Sequence, residues 1–292
     1  MEFKICQDST ECKKLWNSFS SSERLFDLWE FRICFYDDNE QTPHFIAGYD
    51  KEKLIGVLPL CFVISQGIYT YFGGWFPERN KFFLKDKQHL QKFLEQVPKN
   101  TLIEGIDSSE GQFYNFLEDE YTYFLDLKRF GNDFEKYFSS FDKKKQKNIT
   151  RDIKSIPKYN LFRNRTKDFA RLVELNRMQH EDDSKFNDDA IAKGIQKLIE
   201  FAKKKKALDL ISVEINGKTE AVDLGIIYNK WYYSLIGGVN TRKIPNLGKL
   251  MIILDIKAAI EKKADCIDFS ATSGHWKSAW NFQKEMLLKF VK

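Results

Sequence analysis

Apolar and polar positions follow the most regular pattern in two segments, residues 44–75 and 208–240. In each segment, apolar strand-like runs alternate with short polar turns, which predicts an antiparallel meander of three strands. The first segment contains a long apolar strand at 54–64 and ends in an aromatic strand. The second carries the strong hairpin signal Asn216-Gly217 and a further turn at Asn229-Lys230. Both aromatic third strands are followed by a predicted helix and then another strand.

The two meanders have the same order of elements and lie about 165 residues apart, which indicates an internal repeat of one mixed α/β unit. Two unrelated meanders that look alike are the alternative. The chain has 292 residues, more than one usual domain. We therefore predict two domains, 1–130 and 131–292, each a mostly antiparallel sheet flanked by helices.

Helical patterns flank both meanders. Aromatic residues at mixed spacing predict helices before residue 37, and apolar residues at three- and four-residue steps predict a basic helix that runs from 134 to just before Pro157. The remaining predicted elements are a helix at 87–97, a strand at 101–106, a short helix at 111–117, a strand at 121–127, helices at 168–179 and 188–205, and a strand at 266–269.

Composition narrows the class of protein. Hydrophobic residues make up 42% of the chain and include 26 Phe, which is enough for substantial cores. No apolar run reaches the roughly 18–20 residues of a membrane span, and the first residues lack a signal-peptide layout. The five cysteines are odd in number and form no CxxC pair, so neither a zinc site nor a disulfide framework is predicted. We expect a cytoplasmic protein without a bound metal, either a monomer or a homodimer.

The net charge is only +5, but lysine is clustered at Lys143–Lys145 with Lys147, and at Lys203–Lys206. A solvated helix face or helix end is the ordinary interpretation of such clusters. Attraction to anionic groups, either CoA phosphates or RNA, is the functional alternative.

A basic turn follows the second meander. The aromatic strand ends in Gly237-Gly238, and a helix begins after Pro245. N–H groups at a helix start, together with the positive end of the helix dipole, stabilise phosphate oxygens. An ordinary strand-to-helix connection with exposed basic residues is the alternative. The residues predicted to contact a phosphate-bearing cofactor are Val239, Arg242, Lys243, Asn246, Leu247, Gly248 and Lys249.

Four stretches carry a resemblance to a known group of proteins. They are Leu54-Ile-Gly-Val-Leu-Pro-Leu60, Phe124-Leu-Asp-Leu127 before the basic helix, Asn246-Leu-Gly248, and Ile267-Asp-Phe269 followed by Gly274 and Trp276-Lys277. With the order of elements, they resemble two tandem GNAT units of the FemAB-like and BioF2-like (CelD-like) acetyltransferases. The resemblance implies an acyltransferase that uses acetyl-CoA or another acyl-CoA as co-substrate. It places the donor site in the C-terminal domain, while the N-terminal domain shapes the acceptor site.

Two positions depart from the family pattern. The family's pyrophosphate loop usually reads Gln/Arg-x-x-Gly-x-Gly/Ala, whereas this chain has Lys243-Ile-Pro-Asn246-Leu-Gly248. Trp276 stands where the family has Tyr. Asn tolerates the left-handed backbone better than most residues, so the turn stays compatible with the loop. The departures therefore bear on the identity of the donor and not on the fold.

Acyl transfer to an amine requires a neutral amine, a proton acceptor and donors for the oxyanion. Asp223 interrupts the apolar run AVDLGII, and a carboxylate inside such a strand is costly to bury without a partner. Asp268 and His180 are the other candidate catalytic residues. A solvent-facing strand residue is the alternative for Asp223, and a surface or helix-start position is the alternative for His180.

Four further residues are candidates for substrate binding: Trp75, Trp231, His275 and Lys277. Core packing is the alternative for the tryptophans, a surface or helix-start position for His275, and a helix surface for Lys277. No Cys or Ser lies in a nucleophile motif, which favours direct attack in a ternary complex.

The main hypothesis is N-acyl transfer, with acetyl as the expected group, from acyl-CoA to an amine of a small molecule, sugar or peptide. The first alternative is a FemAB-type transferase that uses aminoacyl-tRNA. The basic helix favours this alternative, and the lack of the long coiled-coil arm seen in several such enzymes counts against it. The second alternative is a non-catalytic GNAT-like binding protein, for which Asn246 is the supporting feature.

Overall fold

The computed structural model describes residues 1–271 and 275–292, and for His275 the backbone alone. These residues form two compact units. The first consists of Met1–Thr122, Ala271 and Glu285–Lys292, and the second of Tyr123–Ser270 and the described residues 275–284. The domain boundary expected between residues 130 and 131 stays a prediction.

The first part of the chain alternates helices with a meander. Its elements are, in order, β1 (Glu2–Cys6), α1 (Ser9–Phe19), α2 (Trp29–Arg32), β2 (Gln41–Asp50), β3 (Lys53–Val63), β4 (Ile68–Tyr71), β5 (Phe83–Leu84), α3 (Leu90–Gln96), β6 (Leu102–Ile106) and β7 (Leu117–Asp126).

The second part repeats the pattern with longer helices. Its elements are α4 (Phe134–Ser139), α5 (Lys143–Lys154), β8 (Tyr159–Arg163), α6 (Phe169–His180), α7 (Asp189–Lys204), β9 (Leu208–Ile215), β10 (Lys218–Tyr228), β11 (Trp231–Val239), α8 (Leu247–Glu261), β12 (Cys266–Ala271), α9 (His275–Ser278) and β13 (Gln283–Val291).

Aromatic packing holds the first unit together. Its sheet has the strand order β1-β2-β3-β4, antiparallel throughout, and β5 pairs with β3. Trp16 of α1 is fully buried and packs edge-on against Phe83, with ring centroids 4.8 Å apart. Trp29 stacks on Phe72 at the same centroid distance. The heavy Phe content of the sequence is therefore used in this core.

The second unit is a sheet covered by helices. Strands β8, β9, β10 and β11 pair antiparallel in that order, and β12 adds to β11 in parallel. Gly238 allows α6 to approach one face of the sheet, since a Cβ there would overlap the backbone of α6 at Leu172 and Asn176. Helix α8 lies over Ser234 and Tyr232, because its Asp255 accepts hydrogen bonds from both side chains.

Both predicted meanders form, and the mixed α/β class with mostly antiparallel sheets is confirmed. The helix predicted without interruption from 134 is wrong in one respect, because it breaks between Ser139 and Lys143. Asp133 and Asp142 each cap a separate helix by accepting a backbone N–H bond at 3.0 and 2.8 Å. The short helix predicted at 111–117 is also wrong, because a 3-10 turn ends at Gln112 and β7 begins at Leu117.

Candidate functional site

In the turn from β11 to α8, the residue that precedes the helix has a left-handed backbone conformation. Asn246 precedes α8 with φ 68° and ψ −2°. Its side-chain oxygen accepts a hydrogen bond from Lys249 Nζ at 3.1 Å instead of capping a helix N–H group. Next to Gly248 there is open space, since a Cβ there would come no closer than 3.9 Å to Thr241. Because Leu247 is fully buried in the core, it offers a ligand its backbone and not its side chain.

Lys243 is held by a buried carboxylate. Its Nζ lies 2.6 Å from Glu220, which is fully buried on β10 and also accepts a bond from Asn240 Nδ2 at 2.8 Å. Burial alone would raise the pKa of Glu220, but the hydrogen bonds from Lys243 and Asn240 outweigh it and lower that pKa. Glu220 therefore stays charged and orients Lys243.

The other two cations of the turn are also paired. Lys249 Nζ lies 2.6 Å from Asp152 of α5, and this hydrogen bond lowers the pKa of Asp152. Arg242 pairs with Glu181, and both of these side chains are exposed to solvent. Each basic residue predicted to contact phosphate thus has an acidic partner within the chain.

At its C-terminal end, β11 extends beyond the residues that pair with the parallel strand β12. Pairing with β12 runs from Trp231 to Tyr233, and β11 continues to Val239. Asn240 N–H donates to Glu220 O on β10, so the backbone groups of Gly237 and Val239 point away from β10. Side chains of helix α6 hydrogen-bond to these backbone groups of Gly237 and Val239.

Two amide side chains of α6 form hydrogen bonds with the backbone of this open edge, the part of β11 beyond its pairing with β12. Asn176 Nδ2 donates to Gly237 O at 2.5 Å, and Val239 N–H donates to Gln179 Oε1 at 2.8 Å. Asn176 is buried and accepts a further bond from Ser184 Oγ. Together the two amides offer one donor and one acceptor, as a peptide-like chain would.

Asp223 lies over Gly237 on the neighbouring strand. A Cβ at Gly237 would overlap Asp223 Oδ1, so this glycine makes room for the carboxyl group. Asp223 is 9% exposed, and no side chain or backbone group in the described part of the chain donates a hydrogen bond to it. Burial, with the nearby Asp255, raises the pKa of Asp223 well above its usual value.

Asp255 of α8 extends this acidic cluster. It is buried and accepts from Ser234 Oγ at 2.8 Å and from Tyr232 OH at 3.3 Å. The same hydroxyl lies 3.1 Å from Asp209, which pairs with Arg163 at 2.7 Å. Burial is the main cause that raises the pKa of Asp255 to about 7. Sequence reasoning missed this residue, although a lone carboxylate in the apolar helix LMIILDIKAAI was a usable signal.

Asp268 and Lys277 lie together at the end of β12. Asp268 is buried and accepts a bond from Ser270 N–H at 2.8 Å, where Ser270 has φ 61°. Lys277 is also buried and donates to the carbonyl oxygens of Phe269 and Ser270 at 2.8 and 2.7 Å. These contacts fix the backbone at the end of β12, and the catalytic role expected of Asp268 stays a prediction.

The remaining predicted residues are spread over both units. His180 ends α6 and is exposed. Trp231 packs between Phe124 and Tyr233 in the second unit. Trp75 belongs to the first unit and is 51% exposed. The side chain of His275, and Gly274, lie outside the described residues.

Metal-site clusters and membrane-spanning helices are both absent from the described residues. No group of three His, Cys, Asp or Glu side chains in ranges 1–271 and 275–292 has metal-site geometry. Within those same ranges, no helix has the length and apolar character needed to cross a bilayer.

Comparisons with known proteins agree with the predicted resemblance. The family model of the Acetyltransferase (GNAT) domain matches residues 143–278. FemX has a similar structure, with a TM-score of 0.62 and 12% identity over 99% of this chain and 96% of that one. A tandem GNAT protein from the clavulanic acid biosynthesis pathway gives 0.55 and 8%, covering 99% and 98%.

A GNAT-family acetyltransferase from Colwellia psychrerythraea gives a TM-score of 0.56 at 9% identity, covering 99% of this chain and 98% of that one. At such identities the likeness establishes the fold. No curated protein sequence matches the chain. The predicted resemblance to the tandem GNAT group is confirmed.

Proposed function

We propose that this chain, whose residues 143–278 match a GNAT acetyltransferase domain, is an N-acyltransferase that moves an acyl group from acyl-CoA to an amine. The acyl group to test first is acetyl, and the acceptor is a small molecule, sugar or peptide. The observation that carries the proposal is the turn before α8. There Asn246 adopts the left-handed conformation, and the space beside Gly248 is open.

The residues of this turn fit an anionic group, with one restriction. The first N–H groups of α8 and its dipole attract phosphate oxygens. The three cations are balanced by three carboxylates, however, so any phosphate competes with these partners. An exposed ion pair contributes only about 0–1 kcal/mol to stability, so the Arg242–Glu181 pair requires the least free energy to break. Arg242 is therefore the cation proposed to move onto a phosphate, while Lys243 stays with buried Glu220.

A bound thioester would supply the activated acyl carbon. In the reaction, the amine nitrogen bonds to that carbon, the carbon–sulfur bond breaks, and the sulfur leaves as thiolate. The proton lost by the nitrogen goes to Asp223 in this proposal. A carboxyl whose pKa is raised is a better proton acceptor near neutral pH than an ordinary Asp.

Thermal unfolding with and without ligand tests the donor. Acetyl-CoA and CoA are expected to raise the melting temperature, because a ligand that binds the native state alone stabilises it. Arg242→Gln should reduce this shift, whereas the exposed control Lys204→Gln on α7 should leave it unchanged. The absence of any shift with acetyl-CoA, CoA and longer acyl-CoAs would overturn the proposal.

A different feature favours a second candidate, an aminoacyl-tRNA donor. Phe138 and the exposed face of α5 line a groove of about 490 Å³. The α5 residues that line it are Lys143, Gln146, Lys147, Thr150, Arg151 and Lys154. Lys143, Lys147 and Lys154 form no ion pair with a described carboxylate, unlike the cations of the turn before α8. Positive charge without partners on one helix face suits a phosphate backbone.

Titration with tRNA at several salt concentrations distinguishes the two donors. With four cations engaged, the logarithm of affinity should fall against the logarithm of salt concentration with a slope of about −3. Lys147→Glu should weaken binding and reduce the slope, while Lys204→Glu should not. Salt-dependent tRNA binding together with no response to acyl-CoA would replace the first candidate by the second.

A further inference from the structure

We infer that one end of the second unit is a docking surface for an anionic lipid bilayer, on which the protein lies without entering it. Such binding is separate from the proposed acyl transfer and does not depend on it. Four chain segments contribute nine cations to this surface, which we call the basic end: Lys128, Arg129, Lys203, Lys204, Lys205, Lys206, Lys230, Lys262 and Lys263.

Backbone hydrogen bonds place the four segments side by side at one end of the sheet. Ile227 N–H donates to Ala207 O at 2.8 Å, which joins the residues after α7 to the end of β10. Asp265 N–H donates to Lys230 O at 2.6 Å, and Leu127 N–H donates to Asp265 O at 2.9 Å. The row therefore runs from the end of α7, across the turn between β10 and β11 and the connection after α8, to the residues that follow β7.

Most of the positive charge at the basic end is not balanced. All nine side chains are exposed. Asp265 pairs with Lys128 and Lys230, at 2.9 and 4.0 Å, and the other seven cations form no ion pair with a carboxylate in the described part of the chain. The four segments, with two residues on either side of each, contain three carboxylates: Asp126, Glu261 and Asp265. Nine cations and three carboxylates leave six positive charges, more than the net +5 of the whole chain.

Helix dipoles account for only part of this cluster. The negative end of a helix dipole attracts cations in the last turn, and Lys203 and Lys204 occupy the last turn of α7. Lys206 and Lys230 lie in turns outside any helix, so the dipoles do not explain them. Cations gathered at one end also repel each other, and an anionic partner would remove that repulsion.

The composition and breadth of the basic end favour a bilayer over a nucleic acid. Eight of the nine cations are lysines, whose compact charges suit diffuse attraction to lipid headgroups, whereas Arg is preferred for recognition of nucleic acids. Helix α8 packs in the core cluster that contains Ile211 and Val213, whereas α7 contacts β9 and has no residue in that cluster. The two helices thus end on opposite faces of the sheet, and their lysines cover a broad end and not a groove that a nucleic-acid strand could follow.

Aromatic residues at the same end fit a bilayer interface. Tyr228 and Trp231 are half-buried and flank the turn that contains Lys230. Both side chains combine an apolar ring with a polar group, and such residues are enriched where a protein meets lipid headgroups.

The basic end lies away from the candidate functional site. Helix α8 begins at the turn proposed to bind phosphate and ends at Glu261, directly before Lys262. Its 15 residues span about 22 Å at a rise of about 1.5 Å per residue. The nine cations are therefore not part of the donor site, and a bilayer at the basic end leaves that site open to soluble ligands.

Co-sedimentation of the full chain with vesicles tests this surface. The protein should bind vesicles of phosphatidylcholine and phosphatidylglycerol mixed two to one, but not phosphatidylcholine alone, and added salt should weaken the binding. Each lysine near an anionic surface changes the affinity about fivefold, so Lys205→Gln/Lys262→Gln should bind about 25-fold more weakly. No binding to the anionic vesicles at low salt would overturn the inference.

A second double variant separates the basic end from overall charge. Lys143→Gln/Lys147→Gln removes the same charge from α5, and it should bind the anionic vesicles almost as the wild type does, because charges away from the contact are screened. Equal losses of affinity in the two double variants would show that binding follows net charge alone, which contradicts a defined docking surface.

Titration with tRNA decides between the two classes of partner. Lys205→Gln/Lys262→Gln should leave the affinity for tRNA unchanged. If this variant instead loses affinity for tRNA while the wild type does not bind the vesicles, the basic end serves a nucleic acid and the inference is wrong. The melting temperatures of both double variants should match that of the wild type, because the substituted side chains are exposed.

Discussion

The two units surround buried charged groups with different partners. In the first unit the Arg32 guanidinium is buried among aromatic side chains, where it lies 4.8 Å from the Tyr71 ring and donates to Phe26 O at 2.7 Å. Burial is the main cause that lowers the pKa of Arg32 to about 10. In the second unit the buried groups are carboxylates beneath α8. The difference shows that similar arrangements of strands can bury either a cation among aromatic rings or carboxylates beneath a helix.

The glycine pairs after the aromatic strands differ in the same way. In the first unit, Gly73 and Gly74 have φ of 94° and 74° and turn the chain after β4. In the second, Gly237 and Gly238 stay within β11, where their missing side chains admit Asp223 and α6. An identical dipeptide thus provides a turn in one unit and space for a site in the other.

The largest expected effect tests the aromatic core of the first unit. Trp16→Ala should destabilise the protein by about 3–5 kcal/mol, because the ring is fully buried among five aromatic neighbours. Urea unfolding measures the loss. The matched control is Trp231→Ala in the second unit, where the half-buried ring should cost about 1–2 kcal/mol. Equal losses of stability in the two variants would contradict the expected difference between the units.

The next prediction concerns the space over Gly237. Gly237→Ala should cost about 1–3 kcal/mol, because the new methyl group overlaps Asp223. Asp223→Ala should relieve the clash, so a double-mutant cycle should show a favourable coupling between the two sites. For comparison, Gly73→Ala is strained by its positive φ, and Asp223→Ala should not rescue it. An additive cycle at Gly237 would contradict the geometry.

A smaller effect is expected at the open edge of β11. Asn176→Leu leaves Gly237 O without its donor, which should cost about 1–3 kcal/mol. If an amide-bearing donor binds along this edge, acetyl-CoA should raise the melting temperature of Asn176→Leu more than that of the wild type. A control in the turn just before α6, Lys167→Gln, should change neither value. An equal ligand shift in both proteins would place the donor away from this edge.

The smallest effect on stability is predicted for Glu181→Gln. Its partner Arg242 is exposed, so the free energy of unfolding should change by less than about 0.5 kcal/mol. The affinity for CoA should nevertheless increase, because Arg242 no longer has a competing carboxylate. Calorimetric titration with CoA gives the answer, and a weakened or unchanged affinity would exclude Arg242 as the exchanging cation.

Several features were readable from the sequence because they depend on local backbone preference. Asn216-Gly217 forms its hairpin, and both residues have positive φ. Asn246 takes the left-handed conformation that its side chain tolerates. The strands β1, β8 and β13 were missed, because residues such as those of β1 are mostly exposed and lack an apolar run. Their strand conformation is imposed by neighbouring strands.

The sequence by itself determined the two meanders, the turn before α8 and the presence of Asp223 in an apolar strand. Only the tertiary structure decided which charges meet. Glu220 reaches Lys243 across a strand pair, and Asp255 reaches Ser234 from a helix 21 residues away. Such contacts depend on strand register and on the face that a helix covers, and neither is encoded in the residues next to one another. For that reason the acidic partners of Arg242, Lys243 and Lys249, and the contacts of Asp255, became visible only in the folded chain.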